Sequence, residues 1–148
     1  MDLEEQYDRI YRYCYFKVRQ REMAEDLTQE TFLRFLESGE QGGGRSMQYL
    51  YTVARNLCVD EYRRHKPEPL DEQALEGDGE DAMLTRAAVR MALAELDEAD
   101  RELLLLRYVN EVPMSVLSGL YGLSRFSLYR RVSQAAKKLK KKLGEEYG

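Results

Sequence analysis

The sequence has 148 residues, which is enough for one or two small domains. Charged residues make up 34% of the chain, hydrophobic residues make up 43%, and the formal net charge is −4, which excludes a generally basic nucleic-acid coat protein. No apolar run approaches the roughly 18 residues needed to cross a bilayer, so we expect no membrane insertion.

The whole chain reads as helical, because it has only three prolines and no convincing stretch with a period of two residues. The first predicted helix covers about Leu3–Arg19, where Tyr7, Tyr11 and Cys14 share one stripe beside Ile10. The sequence therefore predicts an all-α fold.

The second predicted helix covers about Glu22–Glu37. Its apolar contacts are expected from five side chains: Leu27, Phe32, Leu33, Phe35 and Leu36. Asp26, Gln29 and Glu30 lie at positions i, i+3 and i+4, so they share one exposed face of this helix. From the residues alone, simple solvation explains this acidic face better than a partner does.

A third helix is predicted from about Ser46 to His65, after a glycine-rich loop over Ser38–Arg45. Its buried face is formed by small and apolar residues, with Glu61 continuing the line: Leu50, Ala54, Leu57 and Cys58. Arg55 and Asn56 point away from that stripe.

The segment Pro67–Asp81 combines two prolines, two glycines and strong negative charge, and it is best interpreted as an acidic flexible linker. The sequence thus predicts two small helical domains, residues 1–66 and 82–148, joined by residues 67–81. Charge is segregated between them. Pro67–Ala82 holds seven acidic residues and no basic one, whereas Arg130–Lys142 holds seven basic residues and no acidic one.

The second domain ends in a pattern typical of a helix-turn-helix, whose second helix enters the DNA major groove. Helices are predicted at about Ala82–Glu95 and, with Asp97 as N-cap, at Glu98–Tyr108. The helix-turn-helix itself comprises Pro113–Tyr121, a turn at Gly122 and a long basic helix capped by Ser124.

The last helix has two faces that the helical period separates. Four apolar residues recur at i, i+4, i+7 and i+11 and are expected in a core: Leu128, Val132, Ala135 and Leu139. Another face carries donors suited to phosphates and base edges: Arg130, Ser133, Gln134 and Lys137. The alternative is a solvated amphipathic helix on a small bundle, with a solvated lysine tail.

Enzymatic and metal chemistry have little support in the sequence. Cys14 and Cys58 lie in apolar helical patterns and are expected to be reduced core thiols of a cytoplasmic protein. The single histidine, His65, cannot complete a metal site with them at any usual spacing. We expect no cofactor, no metal, no small-molecule substrate and no catalytic residue.

Three segments in order resemble the bacterial sigma-70 family of RNA polymerase sigma factors, in its extracytoplasmic-function (ECF) branch. Ala24–Phe32 resembles the most recognisable segment of that family. Tyr49–Leu57, followed by Asp60 and the basic run Arg63–Lys66, resembles its promoter-melting helix. Leu96–Tyr108 with the helix-turn-helix resembles its C-terminal domain, so the resemblance covers nearly the whole chain.

The resemblance implies a dissociable specificity subunit of core RNA polymerase, often held inactive by an anti-sigma factor. The N-terminal domain would bind the polymerase clamp and open the −10 promoter element. The C-terminal domain would bind the polymerase flap and read the −35 element. The acidic chain should bind promoter DNA weakly without these partners.

The resemblance also implies roles for individual residues. The clamp would dock on Asp26, Gln29 and Glu30. The −10 element would be contacted by a stacking tyrosine, a base-pocket asparagine and cations that track phosphates: Tyr49, Arg55, Asn56, Arg63, Arg64 and Lys66. The −35 element would be contacted from the last helix and its start: Ser124, Arg125, Ser127, Tyr129, Arg130, Ser133, Gln134 and Lys137.

Some residues depart from the family pattern. Val116 and Gly119 replace polar helix formers in the first helix of the helix-turn-helix, and the glycines Gly42–Gly44 are unlike the usual sequence before the third helix. Phe126 replaces a small residue, so either it packs inward or it changes how the helix approaches DNA. Two alternatives therefore stay open: a stand-alone helix-turn-helix regulator, and a degenerate sigma-like protein that mainly binds an anti-sigma factor.

Overall fold

The structure is a computed structural model that describes residues 2–39, 45–64 and 88–147, with side chains as far as Gly144. The described residues are helical, as predicted, with short connections and no strand among them. The helices are α1 (Leu3–Val18), α2 (Arg21–Ser38), α3 (Ser46–Arg64), α4 (88–94), α5 (Glu98–Leu104), α6 (Met114–Tyr121) and α7 (Arg125–Tyr147). None of these helices is long and apolar enough to span a membrane.

The chain divides into two compact units, of which the first contains α1–α3 and the second contains α4, α5 and α7. The greater part of the predicted glycine-rich loop and all of the predicted linker lie outside the described residues, as do His65 and Lys66. The predicted boundaries at residues 66 and 82 fall there as well, so the domain limits stay predictions.

In the first unit, α1, α2 and α3 each pack against the other two. The side chains buried in them are mostly apolar, with Gln6, Thr28, Thr31 and Ser46 as the polar exceptions. α1 begins at Asp2, whose carboxylate accepts hydrogen bonds from the backbone N–H groups of Glu4 and Glu5, and ends at Arg19 in a left-handed conformation. The following core residues of this unit have no accessible surface: Ile10, Tyr13, Cys14, Ala24, Phe35, Leu50, Tyr51, Ala54 and Cys58.

The stripe identified on α1 is fully buried at Cys14 and at the neighbouring Ile10, but only partly buried at its two tyrosines. Tyr13 is fully buried and meets the buried Tyr51 of α3 edge to face, with ring centroids 6.0 Å apart. Tyr7 and Tyr11 remain half-buried at the side of the bundle. The predicted buried face of α3 omitted Tyr51, which is fully buried beside Leu50. It included Leu57, which is only half-buried.

The apolar face predicted for α2 is wrong at two of its five positions. Phe35 is fully buried and Leu27 nearly so, but Leu33 and Leu36 are 54% and 52% exposed. At about 100° per residue, positions 27, 32, 33, 35 and 36 spread over about 240° of the helix circumference, so a single buried face cannot take all five. The two exposed leucines lie on the side of α2 that carries Asp26 and Gln29, which are also exposed.

The second unit is organised around α5 and α7, which pack together through Leu96, Leu104 and Ala135. Asp97 is the N-cap of α5, as predicted, and accepts a hydrogen bond from the Asp100 backbone N–H at 3.0 Å. The predicted continuous helix to Tyr108 instead widens into a π-helical turn over Leu105–Val109. Beyond that turn, Asn110 is buried and Glu111 adopts a left-handed conformation.

The helix-turn-helix elements α6 and α7 are joined by a short turn at the predicted place. Gly122 has a φ of +66°, a conformation that favours glycine, and the Leu123 backbone N–H donates to the Ser118 carbonyl oxygen at 3.1 Å. α7 buries the stripe predicted for it: Leu128, Val132 and Ala135 are buried and Leu139 is half-buried.

Candidate nucleic-acid interface

The outer face of α7 is polar and cationic, and it lies opposite the helix's buried stripe. Tyr129, Arg130, Gln134 and Lys137 are exposed, and Ser133 between them is half-buried. Spacings of three, four and seven residues keep these five side chains on one face. The structure therefore brings together the residues that the sequence predicted for contact with −35 DNA along this helix.

The start of α7 is held by a serine cap. Ser124 Oγ accepts a hydrogen bond from the Ser127 backbone N–H at 3.1 Å and lies 3.1 Å from Ser127 Oγ. The cap leaves the first backbone N–H groups and the positive end of the helix dipole directed beyond the helix start, where phosphates bind favourably. Ser124 and Arg125 are exposed at this end, and Ser127 is half-buried.

Phe126 lies on this outer face too, although the sequence left its direction open. It is 76% exposed, so it does not pack inward. The guanidinium carbon of Arg130 lies 5.8 Å from the centre of its ring, within cation–π range. The spacing of four residues between Phe126 and Arg130 was the signal available in the sequence.

Two lysines of the basic run near the C-terminal end of α7 have acidic neighbours within the second unit. Lys138 Nζ lies 3.1 Å from Asp100 Oδ2, and Lys142 Nζ lies 3.5 Å from Glu95 Oε2. These lysines therefore help to hold α7 against the rest of its unit. The basic residues toward the start of the run, Arg130, Arg131 and Lys137, are exposed and are directed to solvent.

The outer face of α3 carries Asn56, Arg63 and Arg64 of the residues predicted for −10 DNA, whereas the guanidinium of Arg55 lies 4.7 Å from the Tyr121 ring centre and donates to the Leu120 carbonyl oxygen at 3.3 Å. Asn56, Arg63 and Arg64 are exposed, and Arg55 is half-buried. Tyr49, the predicted stacking residue, is half-buried and its ring centroid lies 6.2 Å from that of Phe35, so only part of the ring is accessible. Lys66, predicted to contact phosphates, lies outside the described residues.

The outer face of α2 carries the predicted polymerase-binding residues. Asp26 and Gln29 are exposed, while Glu30 is half-buried and accepts a hydrogen bond from Arg34 Nε at 2.9 Å. This face is less purely polar than the sequence predicted, because Leu33 and Leu36 lie on it. Half-exposed leucines beside acidic groups give a surface suited to a protein partner.

The two cysteines, Cys14 of α1 and Cys58 of α3, are brought together in the first unit although they are distant in the sequence. Neither forms a disulfide bond, and both are completely buried. A hydrogen bond with Cys58 lowers the pKa of the Cys14 thiol, against the opposing effect of burial. Within residues 2–39, 45–64 and 88–147, no three His, Cys, Asp or Glu side chains are grouped as ligands for a metal ion.

Comparisons of the sequence with known proteins identify the family of this chain. A family model described as sigma-70 region 2 matches residues 3–68. The ECF sigma factor BldN of Streptomyces coelicolor is 31% identical, over 93% of this chain and 59% of that protein. The ECF sigma factor EcfG of Rhodopseudomonas palustris is also 31% identical, over 78% of this chain and 68% of that protein.

The fold has a solved counterpart. The sigma factor RpoE of Bartonella quintana, crystallised with the anti-sigma factor NepR, superposes with a TM-score of 0.66 at 18% identity, covering 93% of this chain and 91% of that one. The chain belongs to the sigma-70 family. Within that family it is a member of the extracytoplasmic-function branch of RNA polymerase sigma factors. All three relatives named here are described as sigma factors.

Proposed function

We propose that this chain is a promoter-specificity subunit that binds core RNA polymerase in the cytoplasm and directs transcription from promoters with particular −10 and −35 elements. The observation that carries the proposal is the exposed cationic face of α7, which lies opposite the buried stripe of the same helix. A helix held by its apolar side can present the other side to the major groove.

The −35 element is read from α7 in this proposal. Exposed Arg130 and Gln134 supply the donors that pair with guanine and adenine edges, and Lys137 is one turn further on for a phosphate. Ser124, Arg125 and Ser127 contact phosphates at the helix start, and Tyr129 and Ser133 face the bases and backbone beside Arg130 and Gln134. Residues 82–148 form the −35 domain, which also binds the polymerase flap.

The −10 element is opened by α3, in the domain formed by residues 1–66. The exposed amide of Asn56 hydrogen-bonds the edge of an extruded base, and Tyr49 offers the accessible part of its ring for stacking. Arg55, Arg63, Arg64 and Lys66 track the phosphates of the opened strand.

The polymerase clamp docks on the outer face of α2. Asp26, Gln29 and Glu30 give this surface charge and hydrogen-bonding capacity, which fix the register of the partner. Leu33 and Leu36 supply the apolar area that the acidic residues lack, and burying it against the clamp contributes to affinity.

Control by an anti-sigma factor completes the proposal. The support is the solved counterpart, a sigma factor of the same fold that was crystallised with an anti-sigma factor. The exposed leucines of α2 and the exposed aromatic residues of α7 offer apolar area that such an inhibitor can cover. A protein that only sequesters an anti-sigma factor is the alternative, and transcription assays separate it from a working sigma factor.

The test is reconstitution of the full chain with bacterial core RNA polymerase, followed by transcription from a genomic fragment library. Specific transcripts that share a pair of upstream elements are expected. Core binding without transcripts would favour a protein that only sequesters an anti-sigma factor. Tight duplex binding by the chain alone, unaffected by polymerase, would favour a stand-alone regulator.

The clamp face has its own test, a charge reversal with a matched control. Asp26→Arg changes the charge at an exposed position by two units. With the dielectric constant of water, such a change should weaken binding to core polymerase roughly tenfold. Asp8→Arg makes the same change at an exposed position of α1 that has no proposed role. If the two variants bind core polymerase equally well, this face of α2 is not the clamp site.

A further inference from the structure

Phe126 is the most exposed of the large hydrophobic side chains that the structure describes, with 76% of its surface accessible. It is the second residue of α7, so it stands at the end of the helix that leads into a major groove. A phenylalanine in this position exposes apolar surface, which favours a partner that covers the ring.

The surroundings of Phe126 identify the kind of partner. Arg125, Arg130 and Arg131 are exposed within five positions of it, and the helix carries no acidic residue from Arg125 to Leu143. An apolar side chain in a purely cationic setting is complementary to DNA, which offers both phosphates and apolar base substituents. The thymine C5-methyl group is the main apolar feature of the major groove, and phenylalanine is among the residues that contact it.

Phe126 also bears on the direction of Arg130. The guanidinium carbon of Arg130 lies 5.8 Å from the centre of the phenyl ring, and this cation–π contact favours the rotamers that keep the charge near the ring. Because a phenyl ring offers no lone pair to accept a hydrogen bond, this contact leaves the N–H groups of the guanidinium available for a bidentate contact with guanine.

We propose that Phe126 is a specificity-determining residue that contacts a thymine methyl group in the upstream promoter element and positions Arg130 for a neighbouring guanine. The inference rests on the proposed function, because it assumes that α7 reads the −35 element. It adds a reader that the family resemblance does not assign, since the family has a small residue at this position.

The experiment uses full-length chain and core polymerase on promoter fragments selected from a randomised −35 library. At each thymine of the selected element, deoxyuridine is substituted in turn, which removes only the methyl group. Wild-type holoenzyme is expected to lose about three- to fivefold in affinity at one position, the effect of burying a single methyl group. Phe126→Ala should bind the thymine and deoxyuridine forms of that position equally.

A second variant separates the two roles of Phe126. Phe126→Leu keeps an apolar contact but removes the aromatic ring, so it should retain methyl sensitivity while selection for the neighbouring guanine relaxes. Met91→Ala is the control, because Met91 is 55% exposed on α4 and has no proposed role. Thermal unfolding of each variant checks that the fold is intact.

The outcomes distinguish this inference from the function on which it rests. If Phe126→Ala retains the wild-type preference for thymine over deoxyuridine at every position while transcription continues, the inference is wrong and the proposed function stands. If Phe126→Ala weakens core binding with unchanged promoter choice, the ring serves a protein contact and the inference fails. If wild type selects no upstream element, the proposed function itself fails.

Discussion

Alanine substitutions at three leucines of α2 test the packing of the first unit, because the same substitution should reduce the free energy of unfolding by different amounts at the three positions. Leu27 is 9% exposed, whereas Leu33 and Leu36 are 54% and 52% exposed. Replacement of each by alanine removes three carbon atoms from the same helix. Only Leu27→Ala leaves a cavity in a core, because the other two sites are already open to water.

The magnitudes follow from these exposed fractions. A buried Leu→Ala change costs about 2–5 kcal/mol, and we expect Leu27→Ala to fall at about 2–4 kcal/mol. At Leu33 or Leu36, half of three carbons at about 0.8 kcal/mol each gives about 1 kcal/mol, slightly reduced because alanine favours the helix. The two classes of variant should therefore differ by at least 1 kcal/mol in the free energy of unfolding.

Hydrogen exchange followed by mass spectrometry measures this difference in the intact chain. Peptides from α2 and α3 should exchange roughly 30-fold to several hundredfold faster in Leu27→Ala, but only about fivefold faster in Leu33→Ala or Leu36→Ala. Peptides from α7, in the other unit, serve as an internal reference. Equal acceleration in all three variants would refute the assignment of the buried face of α2.

The remaining predictions concern the helix caps and the thiols. Ser124→Ala should lower the free energy of unfolding by about 1 kcal/mol in a thermal melt without DNA, because the Ser127 N–H loses its acceptor. Ser124→Asp should keep the wild-type stability but weaken promoter binding, because its carboxylate repels phosphate. A Ser124→Ala variant as stable as wild type would contradict the cap. The Asp100 backbone N–H lowers the pKa of Asp97, so the ionised carboxylate stabilises the folded state above its ordinary pKa and this stability is lost as pH falls through the lower folded value. Asp97→Asn should show a smaller loss in urea midpoint on acidification below about pH 4, and an identical pH profile would argue against this linkage. Cys14 and Cys58, both fully buried, should react with a thiol reagent only as fast as the first unit opens, and rapid labelling of the native chain would show that this core is not closed.

The helices and the faces of α7 could be predicted from the sequence because they depend on local physics. Side-chain capping at Asp97 and Ser124 involves residues three positions apart, and the turn at Gly122 needs only a backbone conformation that glycine adopts at no steric cost. The period of 3.6 residues likewise separated the buried stripe of α7 from its cationic outer face without reference to any partner.

The tertiary structure decided which apolar residues are buried where the helical periodicity alone allows more than one choice. α2 has apolar residues over more than half of its circumference, so only its packing against α1 and α3 determines that Phe35 is buried and Leu33 and Leu36 are not. The same packing brings Cys14 within hydrogen-bonding distance of Cys58. Tertiary contacts also bury Tyr13 completely, whereas Tyr11 stays half-buried. These outcomes depend on neighbours distant in sequence, whereas helical periodicity relates only residues within a few turns of one another.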